Sequence, residues 1–195
     1  MKYFTSDWHL SHTNIIKFCG RPFKHAREMN RVLLENACKV LKEDDELYIL
    51  GDVMMAKEPT VLEKFIEPIP CEKYLVLGNH DRMSAFTYLE HGGIMSVHTA
   101  LEVDLENEHR TEKRSVRCVH DPAFVQDGKG IVICGHVHNN WISIFPNSLF
   151  INVGVDVWDF EPVSEETLLM IIRHQIMLKN KESLKPPFEG EKIYR

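Results

Sequence analysis

Residue types that bind metal ions follow five short apolar segments of the sequence. They occur in the order Asp7-Trp8-His9, Gly51-Asp52, Gly78-Asn79-His80-Asp81, His120-Asp121 and Gly135-His136-Val137-His138. Alternate residues of an extended segment project to the same side, so Asp7 and His9 can point at one position, and so can His136 and His138. Carboxylate, imidazole and amide oxygen without a thiolate suit Mn²⁺, Fe, Ni²⁺ or Zn²⁺. The ordered set therefore predicts a metal centre.

Each of these short motifs is weak by itself, because a lone histidine is more often packed or solvated than bound to a metal ion. The chain nevertheless holds 11 histidines in 195 residues, and histidine is the commonest side-chain metal ligand. Gly51, Gly78 and Gly135 each stand directly before a ligand-type residue. Glycine permits the sharp turn and the close backbone approach that a crowded ion site needs.

The elements that must position these residues alternate along the first half of the chain. Short β-branched runs predict strands at Lys2–Thr5, Glu46–Leu50 and Lys73–Leu77. Apolar residues at helical spacing predict helices at Ala26–Leu41 and Thr60–Ile66. This alternation is typical of an α/β domain, in which sites assemble outside the carboxyl ends of the strands.

The second half of the chain is richer in strands. We predict strands over Val97–Leu105, Ser115–Val119, Ile131–Cys134 and Leu149–Val153, followed by a final helix over Glu165–Leu178. Two sheets stacked face to face, with helices outside, would accommodate both halves.

Composition limits the classes of protein to consider. A length of 195 residues suits one domain. Contents of 44% hydrophobic and 27% charged residues exclude wholesale disorder. The net charge of −6 gives no global attraction to nucleic acid or anionic lipid, so any phosphate binding must be local. No signal-peptide or membrane-span pattern is present, and the five cysteines form no CxxC pair, so we expect a cytoplasmic protein that makes no membrane contact.

The ordered motifs resemble those of the calcineurin-like metallophosphoesterase superfamily, with no element missing or substituted. Residues 14–23 and 152–158 resemble a compact bacterial and phage subgroup that lacks a cap domain. The resemblance implies a four-layer α/β/β/α sandwich of the metallo-dependent phosphatase type, two stacked mixed sheets flanked by helices. We expect this domain to cover residues 1–178, with a polar tail over residues 179–195.

The resemblance also implies two divalent metal ions, with Mn²⁺ favoured and Fe, Ni²⁺ or Zn²⁺ as the other candidates. One ion would be held by Asp7, His9, Asp52 and His138, and the other by Asp52, Asn79, His120 and His136. Such a pair would clamp a phosphoryl group and lower the pKa of a shared water, and the resulting hydroxide would attack phosphorus in line with the leaving oxygen.

Four further residues are candidates for catalysis or substrate binding. The resemblance makes His80 the general acid that protonates the leaving oxygen, oriented by Asp81, while a hydrogen-bonding role behind the ligands is the alternative. For His12, contact with a substrate phosphate and an ordinary loop role stay equally open. Arg21 resembles a subgroup feature that would bind phosphate through two hydrogen bonds, and a surface arginine beside a proline turn is the alternative.

Together these features predict hydrolysis of a small phosphate ester. A phosphodiester, of nucleotide type among others, is favoured because the chain has no length left for a large cap, and an open site suits groups on both sides of phosphorus. A phosphomonoesterase, nucleotidase or phosphoprotein phosphatase is the alternative. A non-catalytic scaffold is disfavoured because every ligand residue is present. Nucleic acid is expected only as a substrate, and the sequence specifies no oligomeric state.

Overall fold

The computed structural model describes residues 1–125 and 130–183. Its strands are β1 Lys2–Thr5, β2 Glu46–Ile49, β3 Glu72–Val76, β4 Ile94–His98, β5 Leu101–Glu106, β6 Lys113–Cys118, β7 Ile131–Cys134, β8 Ser143–Ile144, β9 Leu149–Asn152 and β10 Val163–Ser164. Its helices are α1 Thr13–Phe18, α2 Ala26–Val40, α3 Thr60–Phe65, α4 Ala85–Gly92 and α5 Glu165–Ser183, with short 3₁₀ helices at Pro122–Phe124 and Val155–Val157.

The strands form two mixed sheets. The first has the order β10-β1-β2-β3-β4 and the second the order β5-β6-β7-β9-β8. Strands β1 to β4 run parallel, with β10 antiparallel beside β1. In the second sheet β6, β7 and β9 run parallel, and β5 and β8 pair with them antiparallel at the two edges. Two mixed sheets with flanking helices confirm the predicted sandwich.

Strand β2 shows how the sheets are held together. Its side chains alternate in direction, as the pleat requires. Leu47 and Ile49 pack in the apolar layer beneath helices α1 to α4, and Tyr48 and Leu50 pack in the layer between the two sheets. All four are buried, and each fully buried aliphatic side chain contributes roughly 1.5–3 kcal/mol of transfer free energy. Helix α5 adds apolar side chains to the layer between the sheets.

One predicted strand divides into two. The stretch Val97–Leu105 contains the end of β4 and most of β5, and these strands belong to different sheets. Helix α4, which the sequence analysis did not predict, precedes them. The Ser84 hydroxyl caps its start by accepting from the amide of Thr87 at 3.1 Å, and Gly93 ends it with φ +59°. The chain therefore crosses from one sheet to the other immediately after β4.

Helix α5 extends further than predicted, because residues 179–183, assigned to the tail, are still helical. The remaining tail residues, 184–195, lie outside the described residues. The helix begins as predicted, since the Ser164 hydroxyl accepts from the amide of Thr167 at 3.2 Å. Within residues 1–125 and 130–183, each helix is too short or too polar to cross a lipid bilayer.

Candidate metal centre

The carboxyl ends of strands β1, β2, β3, β6 and β7 meet at one edge of the sandwich. This convergence brings together all the residues that the sequence predicted as metal ligands: Asp7, His9, Asp52, Asn79, His120, His136 and His138. Neighbouring ligand atoms in this set lie between 3.0 and 4.0 Å apart. The site therefore joins side chains from both sheets.

Asp52 lies at the centre of the cluster. Its Oδ2 is 3.4 Å from Nε2 of His9 and 3.4 Å from Nε2 of His120. Its Oδ1 accepts a hydrogen bond from the amide of His80 at 2.8 Å, which fixes the plane of the carboxylate. Burial opposes ionisation of Asp52, but the hydrogen bond from His120 and the charge of His120 lower the pKa of Asp52 to about 2. An ionised oxygen shared by two imidazoles is the arrangement expected of a bridging ligand.

His9 lies on one side of Asp52 and has the strongest unmet bonding need. Its side chain is 2% exposed, yet neither ring nitrogen has a hydrogen-bond partner among the described residues. Burial lowers the pKa of His9 to about 3, so the ring is neutral and keeps a lone pair. A buried polar nitrogen without a partner costs about 1–3 kcal/mol. A cation beside Asp7, His9 and His138, which form one potential ligand group, would meet that need.

Asn79, His120 and His136 lie on the other side of Asp52. Oδ1 of Asn79 is 3.0 Å from Nε2 of His120 and 3.0 Å from Nδ1 of His136, and the two nitrogens are 3.3 Å apart. An ion with bonds of about 2.1 Å spaces adjacent ligand atoms by roughly 3.0–3.4 Å. The donor set therefore fits a divalent cation here as well.

In the metal-free protein, two residues of the cluster, His120 and Asp7, have a raised pKa, which favours their protonated forms. Burial opposes protonation of His120, but its hydrogen bond to Asp52 and the charges of Asp7 and Asp52 raise its pKa to about 9. Burial raises the pKa of Asp7, whose side chain is fully buried, against the opposing charges of His120 and His138. A divalent ion that binds His120 would therefore have to displace its proton.

Hydrogen bonds behind the ligands fix which nitrogen faces the site. Nδ1 of His120 donates to the carbonyl oxygen of Leu50 at 2.7 Å. Nδ1 of His138 donates to Oδ2 of Asp156 at 2.9 Å. In both rings Nε2 is therefore the nitrogen left to bind a metal ion, and such partners also raise the basicity of the ligand.

The structure places Arg21 behind the candidate ligands and not at the surface beside a proline turn. Its side chain is fully buried. The guanidinium makes two hydrogen bonds to Asp156, at 2.7 and 2.8 Å. It also donates to the carbonyl oxygens of Asp7 at 2.7 Å and Trp8 at 3.1 Å. Its donors are thus engaged behind the ligands, where it supports the first ligand loop and Asp156 together.

The hydrogen bonds of Asp81 connect two loops of the site. Its carboxylate accepts hydrogen bonds from the amides of Asp52, Val53 and Gly78, at 2.8, 2.9 and 2.8 Å, and from the hydroxyl of Tyr88 at 3.1 Å. None of its hydrogen bonds within the described residues reaches the His80 ring. Burial raises the pKa of Asp81 against these amide bonds. Asp81 therefore ties the loop after β2 to the loop after β3.

His80 and His12 line a surface cavity of about 380 Å³ that adjoins the ligands. The ring of each lies 5.5 Å from the ring of His9, measured between centroids. Nδ1 of each is buried without a hydrogen-bond partner among the described residues. Burial and the nearby His80 lower the pKa of His12, which favours its neutral form. The structure thus places both predicted residues beside the cluster, and the role of each stays a prediction.

The backbone is strained at most of the ligand positions. Asp7, His9, Asp52, His136 and His138 have φ values of +60°, +49°, +53°, +70° and +49°. Residues other than glycine rarely adopt this left-handed region, and each such residue costs roughly 1–3 kcal/mol. Strain of this kind persists only where surrounding contacts determine the backbone, and it is common at functional sites.

Close backbone approach explains two of the glycines. A β-carbon on Gly51, whose φ is +87°, would lie 2.6 Å from Nδ1 of His120 and 2.7 Å from the backbone of Gly78. A β-carbon on Gly135 would overlap the Ser6 hydroxyl and lie 2.6 Å from Oδ2 of Asp7. These positions allow strand ends of the two sheets to touch at the site.

Two supporting residues escaped the sequence analysis. Asp156 orients His138 by accepting from its Nδ1 at 2.9 Å. Asn152 donates to the carbonyl oxygens of His138 and Trp141 at 2.7 and 2.8 Å, and it accepts from the amide of Gly154 at 2.8 Å. Both lie in residues 152–158, a segment singled out by its resemblance to the subgroup, and that was the available signal.

Comparisons with known proteins agree with this architecture. Residues 3–174 match the profile of the calcineurin-like phosphoesterase superfamily domain. The chain is 30% identical over 178 residues to Uncharacterized protein MJ1445 of Methanocaldococcus jannaschii, covering 87% of this chain and 90% of that protein. It also resembles the crystal structure of the protein of unknown function AQ665 from Aquifex aeolicus, with a TM-score of 0.68, 27% identity and coverage of 88% of this chain and 98% of that one.

Proposed function

The chain belongs to the calcineurin-like phosphoesterase superfamily, and from that membership we propose that it hydrolyses phosphodiesters with two divalent metal ions. Membership supports metal-dependent phosphoesterase chemistry in general. One observation carries the extension to a pair of ions: Oδ2 of Asp52 lies 3.4 Å from the ligating nitrogens of both His9 and His120. A single carboxylate oxygen is thus shared between two groups of donors.

The proposed ligands follow the two sides of Asp52. Asp7, His9 and His138 would hold one ion, and Asn79, His120 and His136 the other, with Asp52 shared. The mixture of carboxylate, amide and imidazole suits Mn²⁺, our first choice, and also Fe, Ni²⁺ or Zn²⁺. When bound, such ions neutralise charge on the phosphate and lower the pKa of water at the site.

His80 would act as the general acid. It lines the cavity beside the ligands, and because Nδ1 is buried, Nε2 is the nitrogen that would donate a proton to the leaving oxygen. Its backbone amide also holds Asp52 in place. In His80 the backbone amide supports Asp52, and the ring would donate the proton.

His12 would bind the substrate from the same wall of the cavity. Its ring lies beside that of His9, and its neutral form, favoured by its lowered pKa, keeps one N–H to donate. A donor at this position can bind a phosphate oxygen without adding a positive charge. Arg21 is no longer part of the proposal, because its guanidinium is committed to Asp156.

The preference for diesters rests on how open the site is. Asn79 is exposed, and the His136 side chain is 40% exposed. A substrate can therefore extend away from the metal ions on both sides of phosphorus. A phosphomonoesterase is the competing activity, and relative rates decide between the two.

The test is hydrolysis of bis-p-nitrophenyl phosphate and p-nitrophenyl phosphate by metal-stripped protein, with and without added Mn²⁺. We expect turnover of the diester that depends on Mn²⁺ and falls at least about 100-fold in His80→Ala, the usual range for loss of a general acid. His174→Ala, which removes an exposed histidine of α5, is the control and should leave the rate unchanged. Faster turnover of the monoester would overturn the diester preference, and absence of turnover with any divalent metal would favour a non-catalytic binding role.

A further inference from the structure

The cavity beside the ligands has an unusual lining for a phosphate site. Its volume of about 380 Å³ suits a small organic group. Its lining combines the histidines His9, His136 and His138 with the apolar residues Ile15 and Phe18. Within residues 1–125 and 130–183, no lysine or arginine lines it. A second negative charge on a substrate would find no lysine or arginine among the described lining residues.

Phe18 is the apolar feature that stands out in this cavity. It is the last residue of α1 and is 75% exposed, although burying a phenylalanine is worth roughly 1.5–3 kcal/mol. Its ring meets the ring of His12 edge-on, with centroids 6.4 Å apart. Its neighbours in the helix, Ile15 and Ile16, are buried. The helix is thus anchored by other side chains, and its terminal ring is left available to a ligand.

Polar groups without charge complete the lining. Asn139 and Asn140 follow the ligand His138 and line the same cavity. The side-chain amide of Asn139 donates to the carbonyl oxygen of Cys19 at 3.3 Å, which ties this loop to the chain just after Phe18. Asn140 is exposed. An amide can donate to and accept from the edge of a planar heterocycle.

We propose that Phe18 determines specificity by stacking on a planar, uncharged substituent of a singly charged phosphodiester, for which a nucleobase is the natural example. The inference rests on the proposed function and names its substrate class. An aromatic wall provides stacking, the lack of lysine and arginine in the described lining disfavours a second phosphate, and the adjacent side-chain amides offer hydrogen bonds to a base edge. Base stacking on an aromatic side chain is worth about 1–3 kcal/mol.

The experiment compares two competitors of bis-p-nitrophenyl phosphate hydrolysis by the Mn²⁺-loaded protein. Thymidylyl-thymidine and dibutyl phosphate both carry a single charge, but only the first has planar rings. We expect thymidylyl-thymidine to have an inhibition constant about 10-fold lower. Phe18→Ala should bring the two constants within about twofold, and Phe18→Trp should keep the difference. Phe86→Ala, at a 68% exposed phenylalanine outside the cavity, is the matched control.

Calorimetric titration of the same two compounds into the Mn²⁺-loaded His80→Ala variant, in which we expect turnover to be at least about 100-fold slower, measures their dissociation constants. Absence of diester hydrolysis therefore refutes the proposed function, while the ratio of dissociation constants still tests Phe18. Equal affinities in the unaltered protein, or a 10-fold preference that survives Phe18→Ala, would overturn the inference. Loss of the preference in Phe86→Ala would do the same, because it would place the stacking surface elsewhere.

Discussion

Asp156 and Arg21 form a buried ion pair directly behind the metal-facing atoms. The Asp156 carboxylate binds the guanidinium through two oxygens and also accepts from Nδ1 of His138. Burial opposes its ionisation, but the hydrogen bonds from His138 and Arg21 lower its pKa. At the scale of single residues, the position of His138 thus depends on a buried carboxylate that Arg21 holds from behind.

Asp156→Asn tests that dependence. The amide keeps the shape of the carboxylate but loses its charge. It therefore holds the His138 ring and the Arg21 guanidinium less firmly than the carboxylate does. We expect metal affinity to fall about 10- to 100-fold, the usual effect of losing such a partner, as measured by calorimetric titration with Mn²⁺. Asp159→Asn, at a nearby exposed residue, should bind Mn²⁺ normally. Equal affinities for the two variants would contradict the role given to Asp156.

The pKa of His120 predicts how metal binding depends on pH. In the metal-free protein this pKa is raised to about 9, so at pH 7 the ring carries a proton that a metal ion must displace. Affinity for Mn²⁺ should therefore rise with pH up to about 9. Asp52, with its pKa lowered to about 2, is already ionised and releases no proton. Titrations in buffers of different ionisation enthalpy count the protons, and no release at pH 7 would refute the expectation.

The same raised pKa affects the stability of the metal-free protein. A histidine whose pKa is higher in the folded state than its ordinary value of 6.5 stabilises the fold fully below pH 6.5. That contribution is lost as pH rises through about 9. The free energy of unfolding of the metal-free protein, measured by urea titration, should thus decrease between pH 6.5 and about 9. A His120→Gln variant, which cannot titrate, should lack this loss.

Sequence motifs locate the candidate ligand residues better than they locate the contacts that support them. Asp7, His9 and Asp52 could be placed because each follows a strand and has a ligand-type side chain. Arg21 could not, because its partner Asp156 is 135 positions away and either residue alone is ordinary. Asp81 was assigned to its sequence neighbour His80, whereas its carboxylate bonds backbone amides of a loop 28 and 29 positions away.

At the scale of elements, strand ends from the two sheets touch through glycine. The loop after β7 passes so close to the loop after β1 that Gly135 has no space for a side chain. The amide of His136 then donates to both oxygens of Asp7, at 3.1 and 2.9 Å. A shift of the loop after β7 would therefore also move the carboxylate of Asp7.

Gly135→Ala should disturb both stability and metal binding. The added methyl group must displace Ser6 or Asp7, and overpacking of this kind costs about 1–3 kcal/mol. Urea unfolding and Mn²⁺ titration measure the two effects. Gly130→Ala is the matched control, because a β-carbon there meets no atom within 4 Å, and it should change the free energy of unfolding by less than about 0.5 kcal/mol. Similar behaviour of the two variants would contradict the close contact.

The division between β4 and β5 shows a limit of sequence pattern. The odd-numbered residues of Val97–Leu105 are apolar except Thr99, so the pattern of β5 extends back into the end of β4, although the two strands belong to different sheets. Such a pattern records which residues are buried but not which sheet buries them. By contrast, β1 and β7 were predicted with their observed bounds, since each ends abruptly at polar or glycine residues.

At the scale of the whole molecule, the candidate site lies across the boundary between the sheets. Asp7, His9, Asp52 and Asn79 follow strands of the first sheet, and His120, His136 and His138 follow strands of the second. The apolar layer between the sheets holds them together along their faces. Bound cations would add a second connection, at one edge.

Removal of metal should therefore lower the stability of the entire fold. A ligand at 100 times its dissociation constant stabilises the native state by about 2.7 kcal/mol, which corresponds to a Tm difference of about 5–10 °C for a domain of this size. Thermal unfolding with excess Mn²⁺ and with a chelator measures it. Asp52→Asn should show a much smaller difference. An unchanged Tm in the presence of Mn²⁺ would argue against ions that connect the sheets.

Five of the candidate ligand residues have a left-handed backbone conformation that glycine would adopt more easily. Under selection for stability alone, glycine would be the favoured residue at Asp7, His9, Asp52, His136 and His138, because it adopts their φ angles without steric cost. The chain instead keeps side chains there and accepts the strain, as proteins do where activity and stability compete. These dihedral angles therefore indicate a functional site at the five positions, on grounds that need no comparison with a relative.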